Sequence, residues 1–189
     1  MGMTGFILGV AGFFILAYFL MHNDLVHRKN SLEQALASID VYLKKRYDLI
    51  PNLVASIKNY MNHEAGVLTK VVELRNQGSA GLTPHRDLVA QDQQLSQALR
   101  SVMVAVENYP DLKASQNFSQ LNAALNEVEE QLSAARRAYN AAAMRFNNGV
   151  EMLPHSLVAN LLGYTRRPMF EVSDLEAATP KVNDLFKAG

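Results

Sequence analysis

Neither cysteine nor tryptophan occurs in the 189 residues. Without cysteine there is no disulfide framework, thiolate metal site, cysteine nucleophile or lipid-modified N-terminal cysteine. Net charge is missing too, since Lys+Arg and Asp+Glu number 18 each. A balanced chain has no global electrostatic reason to seek nucleic acid. The basic runs at Lys44–Arg46, Arg136–Arg137 and Arg166–Arg167 are short and matched by acids. Glycine gathers near the N-terminus, and the remainder, rich in Ala, Leu, Asn and Gln, has a helical rather than a sheet composition.

Catalytic signatures are also missing. His22, His27, His63, His85 and His155 sit in five different contexts, and none forms His-x-x-x-His. His63–Glu64 is half of a zincin motif without its second histidine. There is no phosphate-cradling loop, nucleophile elbow or EF-hand loop. Glu127, Glu129 and Glu130 read as a solvated helix face. The expectation is no enzyme, no cofactor, no metal and no small-molecule substrate. A metal-dependent enzyme or sensor using His63 and Glu64 is the least favoured class.

What is present begins with an apolar run. No charged side chain occurs from Met1 to Met21, and "GFILGVAGFFILAYFLM" is nearly all apolar. Met3 to Met21 spans ~28 Å as a helix, against a hydrocarbon core of roughly 30 Å. A cleaved signal peptide would need a basic n-region and a small-x-small site, which "AYFLMHNDL" does not offer. An uncleaved anchor over residues 1–22 is expected. Lys and Arg are absent before the span, whereas Arg28 and Lys29 follow it, so the body is expected in the cytoplasm. Gly2, Gly5, Gly9 and Gly12 fall on one helix face, and Gly5-x-x-x-Gly9 is a small-xxx-small pattern that predicts self-association in the bilayer.

From Asn23 onward the apolar period is helical throughout. Leu25, Leu32, Ile39, Arg46, Leu53, Tyr60, Val67 and Leu74 recur every seven residues, with Leu36, Leu43, Ile50, Ile57, Glu64 and Val71 as companions. Phe118, Leu125, Leu132, Tyr139, Phe146 and Leu153 form a second coiled-coil-like series, and Leu88, Leu95, Leu99, Val102, Val106 and Tyr109 a shorter one. The glycine-rich stretch Asn76 to Arg86 reads as a loop, and Pro110 and Pro154 mark further helix ends. Pro51 interrupts the first series. An unbroken helix from Leu25 to Leu74 would be ~75 Å long, beside partners of ~37 and ~54 Å. A break at Asp48–Pro51 leaves pieces of roughly 36, 35, 37 and 54 Å, which match as neighbours in a bundle. The expected fold is therefore all-α: a transmembrane helix, then an antiparallel up-and-down four-helix bundle over residues 23–153. One long helix kinked at Pro51 is the alternative.

Arg46 and Glu64 occupy positions where the pattern calls for apolar side chains. Burial of a lone charge costs several kcal/mol. Two solutions stay open. Glu64 could meet Arg136 or Arg137 and Arg46 an acid near the start of the last helix, or the bundle face is narrow enough for both to reach water. The tail, residues 154–189, returns toward the membrane. Its Leu161, Leu162, Tyr164, Arg166 and Arg167 could sit in the lipid interface, contact a partner, or cap the bundle.

"IDVYLKKRYDLIPNLVASIKNYMNHE" (Ile39 to Glu64), "ENYPDLKASQNFSQL" (Glu107 to Leu121) and "ARRAYNAAAMRFNNGVEMLP" (Ala135 to Pro154) resemble, in order, three blocks of the LemA family of bacterial membrane proteins. The resemblance covers the chain from the anchor to about Phe170. It implies a membrane helix followed by a four-helix bundle, no catalytic residues, and location in the bacterial inner membrane. Asp48, Pro51, Asn52, Tyr109, Pro110, Tyr139 and Asn140 match motif positions and read as turn, cap and packing residues. Some relatives are magnetosome-associated, and some are linked to membrane stress and to HtpX-type membrane metalloproteases.

Two functions from different classes are expected to compete. The first is a membrane-anchored homo-oligomeric scaffold that organises membrane or membrane-protein complexes. The second is an adaptor for another membrane protein such as an HtpX-type metalloprotease, which would stay small until its partner is present.

Overall fold

A computed structural model describes residues 2–61, 65–79 and 85–170, without the side chains of 79 and 85–91. Most of the described residues are helical, with α1 at Gly2–Lys58, α2 at Ala65–Ser79 and α3 at His85–Val106. A single turn α4 at Pro110–Lys113, the long α5 at Gln116–Glu151 and a short α6 at His155–Leu161 follow.

The expected break at Pro51 is not there. Helix α1 runs 57 residues through Pro51 without interruption and ends only at Lys58. It is ~85 Å long at 1.5 Å per residue. The length argument failed because it paired α1 with the wrong neighbours. From Asn23 to Lys58 the helix equals the whole of α5, 36 residues, and the two lie side by side and antiparallel. Arg28 Nη1 donates to the Arg145 carbonyl, while Arg46 reaches Glu129, which sets the direction and register. The shorter α2 and α3 pack on each other, with α2 on the distal part of α1. The chain turns after Lys58, where Tyr60 N–H and Met61 N–H both donate to Ile57 O.

A proline inside a helix removes one N–H and leaves the carbonyl four residues earlier without its donor. For Pro51 that carbonyl belongs to Tyr47. Arg75 of α2 extends its Nε–H to Tyr47 O at 3.4 Å, so a neighbouring helix takes up the orphaned acceptor. Nearby, α2 comes so close that a Cβ on Gly78 would lie 2.4 Å from the Tyr47 ring. The expected loop from Asn76 thus begins late. Asn76, Gln77, Gly78 and Ser79 are helical, and Gly78 is the glycine that lets the buried Tyr47 ring pass.

The core follows the seven-residue stripes. Leu25, Leu32, Ile39, Leu43, Ile50, Leu53 and Ile57 of α1 face Phe118, Leu125, Leu132, Ala135, Tyr139, Ala142 and Phe146 of α5. Leu68, Val71 and Leu74 of α2 and Leu95, Leu99, Val102 and Val106 of α3 join the same cluster. At the opposite end Val158, Ala159 and Phe170 complete it. The first residues of α1 stand clear: none of its most apolar 18-residue window is buried within the chain.

Two substitutions test how Pro51 is accommodated. Pro51→Ala should raise stability by up to about 3 kcal/mol, since it restores a helix hydrogen bond. Arg75→Met should cost about 1 kcal/mol in the Pro51 background and clearly less beside Pro51→Ala, read by denaturant unfolding in detergent. Equal costs in both backgrounds would mean that Arg75 does not serve the Tyr47 carbonyl.

Candidate functional site

Three arrangements of polar side chains stand out, and they lie at different levels along α1. The most buried is centred on Asp92 of α3, 2 % exposed. Arg46 Nη1 donates to Asp92 Oδ1 at 2.7 Å, and Arg136 Nη2 pairs with Asp92 Oδ2. Arg46 Nη2 also meets Glu129 Oε2 at 2.9 Å. One carboxylate thus ties α1, α3 and α5 together, and the four charges cancel. Arg46 does not reach water, because its side chain is 5 % exposed. Arg136 is partly covered, while Arg137 is exposed and bonds Ser133 Oγ at 2.8 Å. Glu64, expected opposite Arg136 or Arg137, lies outside the described residues, as does His63.

Beside this network is an open pocket of roughly 260 Å³ lined by Arg46, Ser96, Arg100, Asn122, Asn126 and Glu129. Its innermost cation, Arg46, is already held by two carboxylates. The arrangement fixes the register of three helices; it presents no nucleophile and base within reach of each other. Among the described residues no three of His, Asp and Glu stand close enough to hold a metal ion.

Asp92 was missed in the sequence although the signal was there. It sits seven residues before Leu99, on the apolar stripe of α3. An acid on that face, with Arg46 on the apolar stripe of α1, is the pattern of a buried pair.

The second arrangement holds the tail. After α6 the chain reverses at Gly163, whose φ of +70° lies in the left-handed region that favours glycine. Tyr164 N–H donates to Ala159 O and Gly163 N–H to Asn160 O, a Schellman ending. The segment then runs back along α5 under two asparagines. Asn147 Nδ2 donates to Arg167 O at 2.9 Å while Arg167 N–H donates to Asn147 Oδ1 at 2.8 Å. Asn140 makes the same pair of bonds with Phe170, both 2.8 Å. Each carboxamide therefore acts like a neighbouring peptide group. Their spacing of seven places both on one face of α5. Tyr139 donates to Pro168 O and its ring meets Phe170 edge-on at 5.0 Å.

Of the tail residues singled out in the sequence, Leu162 and Tyr164 pack against the core. Tyr164 meets the Phe146 ring at 5.8 Å. Leu161 is 75 % exposed. Arg166 is exposed and reaches Glu151 at 3.2 Å, and Arg167 is held by its backbone.

The third arrangement is near the start of the body. Asp24 Oδ2 accepts from Arg28 Nε at 2.7 Å and faces His155 Nε2 at 3.1 Å, joining α1 to α6. Below it His22 is half-buried and stacks on Tyr18. At Gly2, Gly5, Gly9 and Gly12 a Cβ would meet nothing within 4 Å. These four do not converge with the other arrangements.

An apolar, unburied first segment on a helix that continues into an all-helical body defines a class: helical proteins whose leading helix is long and apolar enough to cross a membrane. The LemA family model matches residues 35–183, and the chain belongs to the LemA family. It is 26 % identical over 174 residues to "Protein LemA" of Metamycoplasma hominis, spanning 92 % of this chain and 80 % of that protein. It is 23 % identical over 197 residues to "Magnetosome protein MamQ 2" of Paramagnetospirillum magneticum, spanning 89 % of this chain and 72 % of that protein. A further magnetosome protein, MamQ of Magnetospirillum gryphiswaldense, is 22 % identical over the same shares. None of these names is an enzyme's. The family match begins beyond the apolar segment and takes in Arg46, Asp92, Arg136, Asn140 and Asn147.

Asp92→Ala should cost about 3 kcal/mol in chemical unfolding, because it leaves the buried Arg46 with Glu129 alone and takes from Arg136 its carboxylate. Replacing Arg46, Asp92 and Arg136 together by Met, Leu and Met should recover most of that loss. Tyr47 and Tyr139 supply a pH signature. Burial pushes both hydroxyl pKa values up; for Tyr47 the Asp92 carboxylate adds to this while Arg46 and Arg136 oppose it. For Tyr139 Arg167 opposes it. The folded chain therefore keeps these protons when the unfolded chain, titrating near pH ~10, has lost them. Stability is full below that pH and falls as pH rises toward the folded values. In pH-dependent melting, Tyr47→Phe should flatten the alkaline limb.

Proposed function

We propose that this protein is a non-enzymatic scaffold, anchored in the bacterial inner membrane by the first part of α1, with its body in the cytoplasm. On this reading α1, α2, α3 and α5 act as one up-and-down four-helix bundle. Copies associate through the glycine face of the span and so organise membrane or membrane-protein complexes. The observation that carries the reading is the free-standing apolar part of α1, of which nothing in the most apolar window is buried. The open face at Gly2, Gly5, Gly9 and Gly12 supports lateral packing of helices, because backbones can approach wherever side chains are absent. The buried polar network supports a structural role: its charges cancel inside the fold, with no group held ready for chemistry.

The test is the mass of the full chain in native nanodiscs. A uniform homo-oligomer is expected, and Gly5→Ile with Gly9→Ile should reduce it to smaller species. A monomer for the unmodified chain would overturn the scaffold and favour an adaptor that waits for another membrane protein, such as an HtpX-type metalloprotease.

A further inference from the structure

The membrane-facing end of the body carries an apolar surface that the fold leaves open. Met152, Leu153, Leu157 and Leu161 are 61, 74, 65 and 75 % exposed. Leu153, Leu157 and Leu161 follow one another at intervals of four, and the last two share one face of α6. The opposite face of α6 buries Val158 and Ala159 in the core. The helix thus has two apolar faces, one in the core and one turned outward.

Its level along α1 identifies what covers that face. A hydrocarbon core of roughly 30 Å takes up about 20 helical residues, so a span begun at Gly2 leaves it near Met21. Asp24, which faces the first residue of α6 through His155, stands about 5 Å beyond, inside a headgroup layer about 5–7 Å deep. Tyr18 and Met21, one to two turns lower, pack against the core cluster. Helix α5 has already ended at Glu151, just past Gly149, which faces Leu25 and Arg28. Helix α6 packs on α1 and, with His155 against Asp24, is the element that continues the body past the end of α5. Its outward leucines therefore stand at the level of the headgroup layer that borders the acyl chains. Arg28, Lys29 and Arg166 at this end are each paired with an acid, Asp24, Glu33 and Glu151, so the attachment rests on the leucines.

Resting on the reading of α1 as a membrane span, we propose that α6 is an in-plane membrane helix. Leu153, Leu157 and Leu161 insert into the bilayer interface and make a second attachment of the body beside the anchor. One attachment would leave the body free to rotate about the axis of the span. Two define which side of the body faces the membrane.

The absence of native cysteine makes the test direct. Spin labels on single cysteines at Phe13, Leu157, Leu161 and Val104 in the full chain are read in phosphatidylcholine–phosphatidylglycerol vesicles. The measurement compares collision with oxygen, enriched in lipid, and with a water-soluble nickel chelate. Val104 is 71 % exposed on α3 and serves as the aqueous reference, and Phe13 reports the span. The expected order of oxygen-to-nickel ratio is Phe13 highest, Leu157 and Leu161 several-fold above Val104, and Val104 lowest. If Leu157 and Leu161 match Val104 while Phe13 is deep, the in-plane helix is wrong and the anchor stands. If Phe13 itself is aqueous, the anchored reading fails with it. Spin–spin broadening at Leu157 and Leu161 that disappears on dilution with unlabelled chain would replace lipid by a second copy and overturn the proposal.

Discussion

The part of α1 beyond the apolar segment and the whole of α5 are the same length, so antiparallel contact covers both from end to end. Everything else is arranged around that pair. The α2–α3 hairpin is too short to cover it fully and packs on the distal part, where the Asp92 network joins α3 to both long helices. The proximal part is closed by α6 and by the segment that two asparagines hold against α5. Neither cover would have a surface to lie on without the long pair, whose two apolar stripes make up most of the core.

Polar groups in this molecule are used for position. Arg46 could have been a leucine by its place in the series, and a leucine there would pack equally well against several registers. The charge does not allow that, because sliding α3 by one turn would separate Asp92 from both arginines and leave a buried carboxylate unpaired. Asn140 and Asn147 do similar work with neutral groups. A carboxamide matches a peptide group donor for acceptor, so two of them a heptad apart define a track for an extended backbone. Arg167 accordingly keeps its guanidinium outside while its backbone is held.

The helical class, the apolar leading segment and most core positions were legible because they depend on periodicity, which is local. Leu25, Leu32, Ile39, Leu43, Ile50 and Leu53 are all buried as their spacing implies. The place where the first helix ends was not legible. Pro51 carries a strong local signal for a break, yet the penalty is met from outside the segment by Arg75, 24 residues further on. Gly78 misled in the same way, since its loop-forming character is outweighed by the need for room beside Tyr47. Asp92, Asn140 and Asn147 have meaning only through partners 20 to 46 residues distant, and a single sequence does not announce such partners.

If the apolar segment spans a bilayer as proposed, the continuity of α1 through residues 22 and 23 has a mechanical consequence. A hinge there would insulate the body from the bilayer. A single unbroken rod makes it a lever instead. Membrane helices adapt to bilayer thickness by tilting. A change in tilt of about 10° would carry the far end at Lys58 sideways by roughly 9 Å over the ~54 Å that stand outside. The distal hairpin, riding on that end, would move with it. The thickness of the surrounding lipid would thereby be converted, without any change of fold, into the position of a surface far from the membrane.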